Sequence, residues 1–119
     1  MTEKWAAAFS EMEKHAQKIE IKGIAGIAQR NKDTGIIDIK LKYCGQDFND
    51  WGNLYSVACA KLMEMVRTGQ PSGTLTPLAG EFSDFVGGTL QGELYVTFTG
   101  AAGHLDLEVA KVGLDFLLA

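Results

Sequence analysis

Gly92–Leu117, GELYVTFTGAAGHLDLEVAKVGLDFL, carries a strand, a turn and a helix in one unbroken run. Leu94, Val96 and Phe98 alternate with Tyr95, Thr97 and Thr99, the period-2 pattern of a strand whose two faces meet different surroundings. Gly100 and Gly103 bracket two alanines, and Leu105, Val109, Val112, Phe116 and Leu117 then recur at helical spacing. A strand that becomes a helix within four residues must turn sharply, and glycine reaches positive φ without a Cβ clash.

Working outward, Trp5, Ala8, Phe9, Met12, Ala16 and Ile19 make an apolar stripe on a first helix that ends near Lys18, with His15 at the stripe's edge. Residues 19–29 are nearly all apolar and rich in isoleucine, which predicts a central strand covered on both faces. Asn31–Gly35 reads as a turn into a partner strand in which Ile37, Ile39, Leu41 and Tyr43 alternate with Asp38, Lys40 and Lys42. Asn49 or Asp50 can cap a second helix whose buried face is Trp51, Leu54, Tyr55, Ala58, Leu62 and Met65, with Lys61, Glu64 and Arg67 solvated and Gly69 as the stop. Thr68–Gly80 is rich in Gly, Pro, Ser and Thr and predicts an irregular surface loop. A short strand over Glu81–Val86 and a long one over Leu90–Thr99 complete the order α-β-β-α-β-β-α. Hairpins set between helices imply an α+β domain over residues 1–119, with a mainly antiparallel sheet of four or five strands and helices packed on it.

With 119 residues, 46% of them hydrophobic and 22% charged, the chain has the make-up of one ordinary globular domain. A net charge of −4 offers no general attraction to nucleic acid or to an anionic membrane surface. Charges interrupt the N-terminal segment every few residues, so it lacks the apolar core of a secretory signal, and no window is long and apolar enough to span a membrane. A cytoplasmic location is the expectation. Cys44 and Cys59 are too far apart for redox or zinc C-x-x-C spacing and read as free thiols.

No complete catalytic constellation stands out, and the reading leans away from an enzyme. Ser10, Ser56, Ser72 and Ser83 lack a nucleophile-elbow context, and the carboxylate pairs Glu11/Glu13 and Asp47/Asp50 look like solvated faces. The Gly100–Gly103 turn opens a helix, where unpaired N–H groups and the helix dipole can hold a carboxylate or phosphate, although its spacing is neither G-x-G-x-x-G nor a P-loop. His104 follows at the helix start, where an imidazole could bond locally.

Gly100, Gly103, Asp106, Ala110, Gly113 and Leu114, with His15-Ala16 before the Gly23–Ala28 strand and the A-x-x-K of Ala58 and Lys61, resemble one family. It is the haem-binding group that contains the glycolate-operon protein G, the secreted haem-binding sensor protein and the C-terminal domain of the propanediol-utilisation cobalamin adenosyltransferase. The chain departs from that pattern at Asn31–Gly35, where the family has an aspartate-glycine turn, and it lacks the R-M-D segment after the second strand. The resemblance implies a non-catalytic protein that binds a small molecule, with haem or another tetrapyrrole as the ligand class. It further implies His15 as the iron ligand, shielded by Trp5 and Met12, with Gly100 and Gly103 beside the ligand's acidic groups, and homo-oligomeric assembly. The alternative reading is a roadblock or profilin-like interaction module, of similar length and element order, which works by homodimerising or by scaffolding small GTPases.

Overall fold

The computed structural model describes residues 2–45, 51–73 and 85–119. Helix α1 (Thr2–Lys18) leads into the hairpin β1 (Gly23–Arg30) and β2 (Ile37–Cys44); α2 (Trp51–Thr68) follows, then β3 (Gly88–Gln91), β4 (Leu94–Thr99) and α3 (Gly103–Leu118). The four strands form one sheet in the order β2-β1-β4-β3, antiparallel at every pairing. The expected α+β domain with helices on an antiparallel sheet is what the chain builds, with four strands among the described residues.

Alternation in the strands sorts the helices to two sides. Ala25 and Ile27 of β1 and Val96 and Phe98 of β4 point to one face, where α1 and α3 lie side by side and supply Trp5, Phe9, Met12, Val109 and Leu114. Ala28 and Tyr95 point to the other face and meet Leu62 and Met65 of α2. Small residues set the spacing between layers. A Cβ on Gly113 of α3 would come within 2.5 Å of the Met12 sulfur, and one on Gly26 of β1 within 2.7 Å of the Thr97 hydroxyl. Buried on both faces from Gly23 to Ala28, β1 is the central strand its composition predicts.

Three boundaries differ from the sequence reading. Residues 19–22 are not strand, because α1 closes with the Ile21 amide bonded to the Ala16 carbonyl (2.9 Å) and the Glu20 amide to that of Gln17 (3.1 Å). That pairing is a Schellman cap, and Glu20 holds the left-handed position (φ 61°) that glycine usually fills. The single long strand expected over Leu90–Thr99 is two strands. Gln91 pairs with Leu94 across a two-residue turn, with Gly92 at φ 59° in the first central position, the pattern of a type II′ hairpin. Phe85 and Val86 lie outside any strand, and the rest of the expected 81–86 strand falls outside the described residues.

Asn31 orders its turn as expected, its Oδ1 accepting the amides of Asp33 (2.9 Å) and Thr34 (3.2 Å). Gly69 ends α2 at φ 68°, its amide on the Met65 carbonyl at 2.9 Å. The proposed caps Asn49 and Asp50, the Trp51 side chain and most of the 68–80 loop lie outside the described residues.

Candidate functional site

Lys61 and Glu64 are not solvated, as expected from the sequence, but buried, 3% and 6% exposed. The reason for Lys61 lies at the edge of the sheet. β3 stops pairing where Gly88 faces Thr97, while β4 runs on to Thr99. Gly87 still accepts the Phe98 amide through its carbonyl at 3.0 Å, but among the described residues no strand reaches the Phe98 carbonyl on that same edge. Lys61, coming from α2, donates to it at 2.7 Å and so stands in for the missing strand amide. An unpartnered carbonyl there would carry a penalty of about 1–3 kcal/mol.

The Lys61 ammonium is matched by Asp106, from the first turn of α3, with Nζ 3.2 Å from Oδ2. The other carboxylate oxygen, Oδ1, accepts the Ala101 amide at 3.0 Å, and the Gly100 N–H also donates to the carboxylate. One aspartate therefore ties the strand-to-helix turn to a lysine on the opposite side of the sheet. Burial lowers the Lys61 pKa and raises that of Asp106, and the attraction between the two opposes both shifts. Glu64, one turn further along α2, accepts the Gly73 amide at 2.6 Å, holding the chain that leaves α2.

Glycine is required at two positions here. Gly100 sits at φ 146°, and a Cβ on it would run into the Lys22 carbonyl and come within 2.7 Å of the Gly23 Cα. Gly87 sits at φ 133°, with its hypothetical Cβ 2.5 Å from Lys61 Nζ and 2.8 Å from the Asp106 Cβ. The backbone itself thus closes over the ion pair. Gly103 begins α3 with an ordinary φ, and its Cβ would meet the Val86 side chain at 2.8 Å.

Above the pair opens a cleft of about 440 Å³ lined by Leu54, Val57, Lys61, Phe85, Val86, Thr99, Gly100, Ala101, Gly103 and Asp106. Its outer wall keeps Phe85 and Val86 about 40% exposed. Thr99 is 3% exposed, and its hydroxyl has no hydrogen-bond partner among the described residues. The predicted ligand residues Gly100 and Gly103 are both part of this cleft, although the Ala101 and Gly100 amides that could have held an outside anion are engaged by Asp106.

His15 does not line the cleft. It lies on the seam between α1 and α3, its Nε2 2.5 Å from Oε2 of Glu108. Trp5 and Met12, expected to shield a porphyrin, are 5% and 0% exposed and belong to the core between the sheet and the α1–α3 layer. His104 is exposed. Among the described residues no group of three His, Cys, Asp or Glu side chains is placed to hold a metal ion, and no helix is long and apolar enough to cross a membrane. Cys44 is buried, which pushes its thiol up to about 11, and both cysteines are free.

In the sequence Asp106 stands out only through the resemblance and Lys61 reads as a solvated helix position, so nothing there joins the two. A signal was present: Leu54, Ala58, Lys61 and Met65 follow one helical stripe, so Lys61 lies on the buried side by spacing. No protein-family model, no curated protein and no solved structure matches this chain.

Proposed function

We propose that the chain is a non-catalytic binding protein for a small, largely apolar molecule, held in the cleft between α2 and the start of α3. The observation that carries this reading is the cleft itself: apolar walls from Leu54, Val57, Phe85 and Val86 around one polar cluster, Lys61, Asp106 and Thr99. Small-molecule sites are commonly concave and mostly apolar, with a few fixed polar groups that set orientation, and span roughly 300–1,000 Å³. The resemblance adds the ligand class, haem or another tetrapyrrole. Ligation by His15 requires the imidazole to exchange Glu108 for iron, on a seam separate from the cleft. Haemin titration of the wild type, His15→Ala, His104→Ala and the cleft-filling Val57→Trp tests both parts. A Soret shift lost only in His15→Ala places haem on the α1–α3 seam; one lost only in Val57→Trp places it in the cleft; one that survives all three rules out both places, and no shift in the wild type removes haem from the reading.

A second reading, self-association, is favoured by β2. Among the described residues this strand is an edge of the sheet; Ile39 on its α2-facing side is 38% exposed, and Ile36, just before the strand, is 58% exposed. Uncovered edge strands with apolar side chains invite pairing with another chain, and a symmetric dimer is the commonest outcome. Light scattering at about 100 μM, a concentration at which specific interfaces are well populated, is expected to show a dimer in the wild type and a monomer in Ile39→Lys. A monomeric wild type removes this reading.

A further inference from the structure

The cleft has hydrogen-bond donors to spare, and the carboxylate in its wall is already engaged. Both oxygens of Asp106 are engaged, by the Ala101 amide on Oδ1 and by Lys61 on Oδ2. An ammonium has three N–H groups, and those of Lys61 meet two partners, Asp106 and the Phe98 carbonyl. α3 begins with no side-chain cap; the amides of Leu105 and Asp106 reach the Ala102 carbonyl, which leaves those of Gly103 and His104 without a partner among the described residues at the helix's positive end. Independently of the helix, Thr99 places a buried hydroxyl without a partner on the α2-facing side of β4, in the wall of the same cleft. A buried hydroxyl left unbonded is a net cost to the fold, and such orphans call for a reason.

From this accounting we infer that the cleft takes a small carboxylic acid with an apolar tail. The carboxylate lies against the start of α3 and the Thr99 hydroxyl, and the tail lies against Leu54, Val57, Phe85 and Val86. A neutral amide of the same shape gives up the negative charge that the Lys61 ammonium and the positive end of α3 favour, so the cleft discriminates against it. This inference rests on the cleft being a binding site and adds the chemistry of its occupant.

Butyrate and its neutral counterpart butyramide are the probes, titrated into the 15N-labelled full chain and followed through the backbone amide resonances. Saturable shifts at Gly103 and His104 with butyrate are expected, with butyramide at least about tenfold weaker, since a hydrogen bond to a charged group is worth roughly 1.5–3 kcal/mol. Thr99→Val, which keeps the side chain's shape and removes its hydroxyl, is expected to weaken butyrate about tenfold on the same grounds, and Thr99→Ser to restore it. Butyramide binding as well as butyrate at these resonances overturns the acid assignment while leaving the cleft a binding site. Neither probe moving any cleft resonance overturns both. Shifts from butyrate that are unchanged in Thr99→Val overturn the carboxylate's placement on that hydroxyl.

Discussion

Under α1 and α3, Val96 and Phe98 meet Phe9, Met12, Val109 and Leu114 in a wholly apolar interior, whereas under α2 the buried apolar residues Ala28, Leu62, Met65 and Tyr95 share their side of the sheet with Thr97, Thr99 and the ammonium of Lys61. Both faces are read off the same four strands. The first does what hydrophobic burial does best, each large side chain contributing roughly 1.5–3 kcal/mol. The second carries groups whose burial opposes folding, and departures of that kind gather where a protein binds or reacts. At the far end of this α2-facing side, Arg30 donates to Glu93 at 2.6 Å and Tyr95 to the same carboxylate at 3.0 Å, so the α2 side has a polar cluster at each end.

The contrast breaks most easily at its two strongest points. Phe98→Ala empties the dry face and is expected to cost about 3–5 kcal/mol in urea unfolding, the usual range for a buried phenylalanine. Asp106→Ala is expected to cost a similar ~3–5 kcal/mol, for the different reason that it strands a buried ammonium. The distinction shows in a double-mutant cycle: Lys61→Met added to Asp106→Ala should recover much of the loss, while no second change rescues Phe98→Ala. Loss that is simply additive in the cycle would mean the two charges do not depend on each other.

Next in size is Gly100→Ala, which forces a side chain to φ 146° against the Lys22 carbonyl. More than about 1 kcal/mol of stability should go, against a smaller effect at Gly103, where φ is ordinary and only Val86 must move. Equal losses at the two glycines would locate the strain elsewhere in the turn.

Acid separates the two polar clusters. The Arg30 hydrogen bond, chief among several causes, holds Glu93 at about 2, below its ordinary 4.5. A depressed carboxylate stabilises the fold above its ordinary range and loses that contribution as pH falls toward the folded-state value. Asp106 has the opposite sign: raised by burial, it contributes stability at low pH that is lost as pH rises through its folded-state value. Arg30→Gln should therefore flatten the fall in urea midpoint between pH 4.5 and 2, and an unchanged acid limb would exclude Glu93 as its source.

The smallest expected effect tests the end of α1. Glu20 occupies a left-handed position that costs a non-glycine residue roughly 1–2 kcal/mol, so Glu20→Gly, after the extra chain entropy of glycine, should stabilise by about 0.5 kcal/mol. That glutamate also explains one limit on what the sequence reveals. The Schellman cap at Glu20 has no glycine to announce it, and Ile19 and Ile21 run on in apolar sequence, so the helix end looked like the start of a strand. The β3–β4 turn was hidden because both its strands are short and only Gly92 marks it. The dry face, in contrast, was legible almost residue by residue, because the alternation in Leu94–Thr99 and the stripe from Trp5 to Ala16 depend on burial alone. Gly100 and Gly103 were legible as parts of a turn; the union of Lys61 with Asp106 was not, since it depends on β3 ending two residues before β4 does.

Thr99 tests most directly whether the α2 face is built for binding at the expense of stability. Thr99→Val removes an unpartnered buried hydroxyl, and urea melts of the free protein should show a gain on the order of 1 kcal/mol, matched by Thr97→Val, whose hydroxyl is likewise unpartnered but does not line the cleft. Of the two, only Thr99→Val should weaken butyrate. A stabilised Thr99→Val that has lost the ligand is the result this account predicts; a destabilised Thr99→Val that binds as the wild type does would contradict it, and would make the threonine a structural member of the sheet.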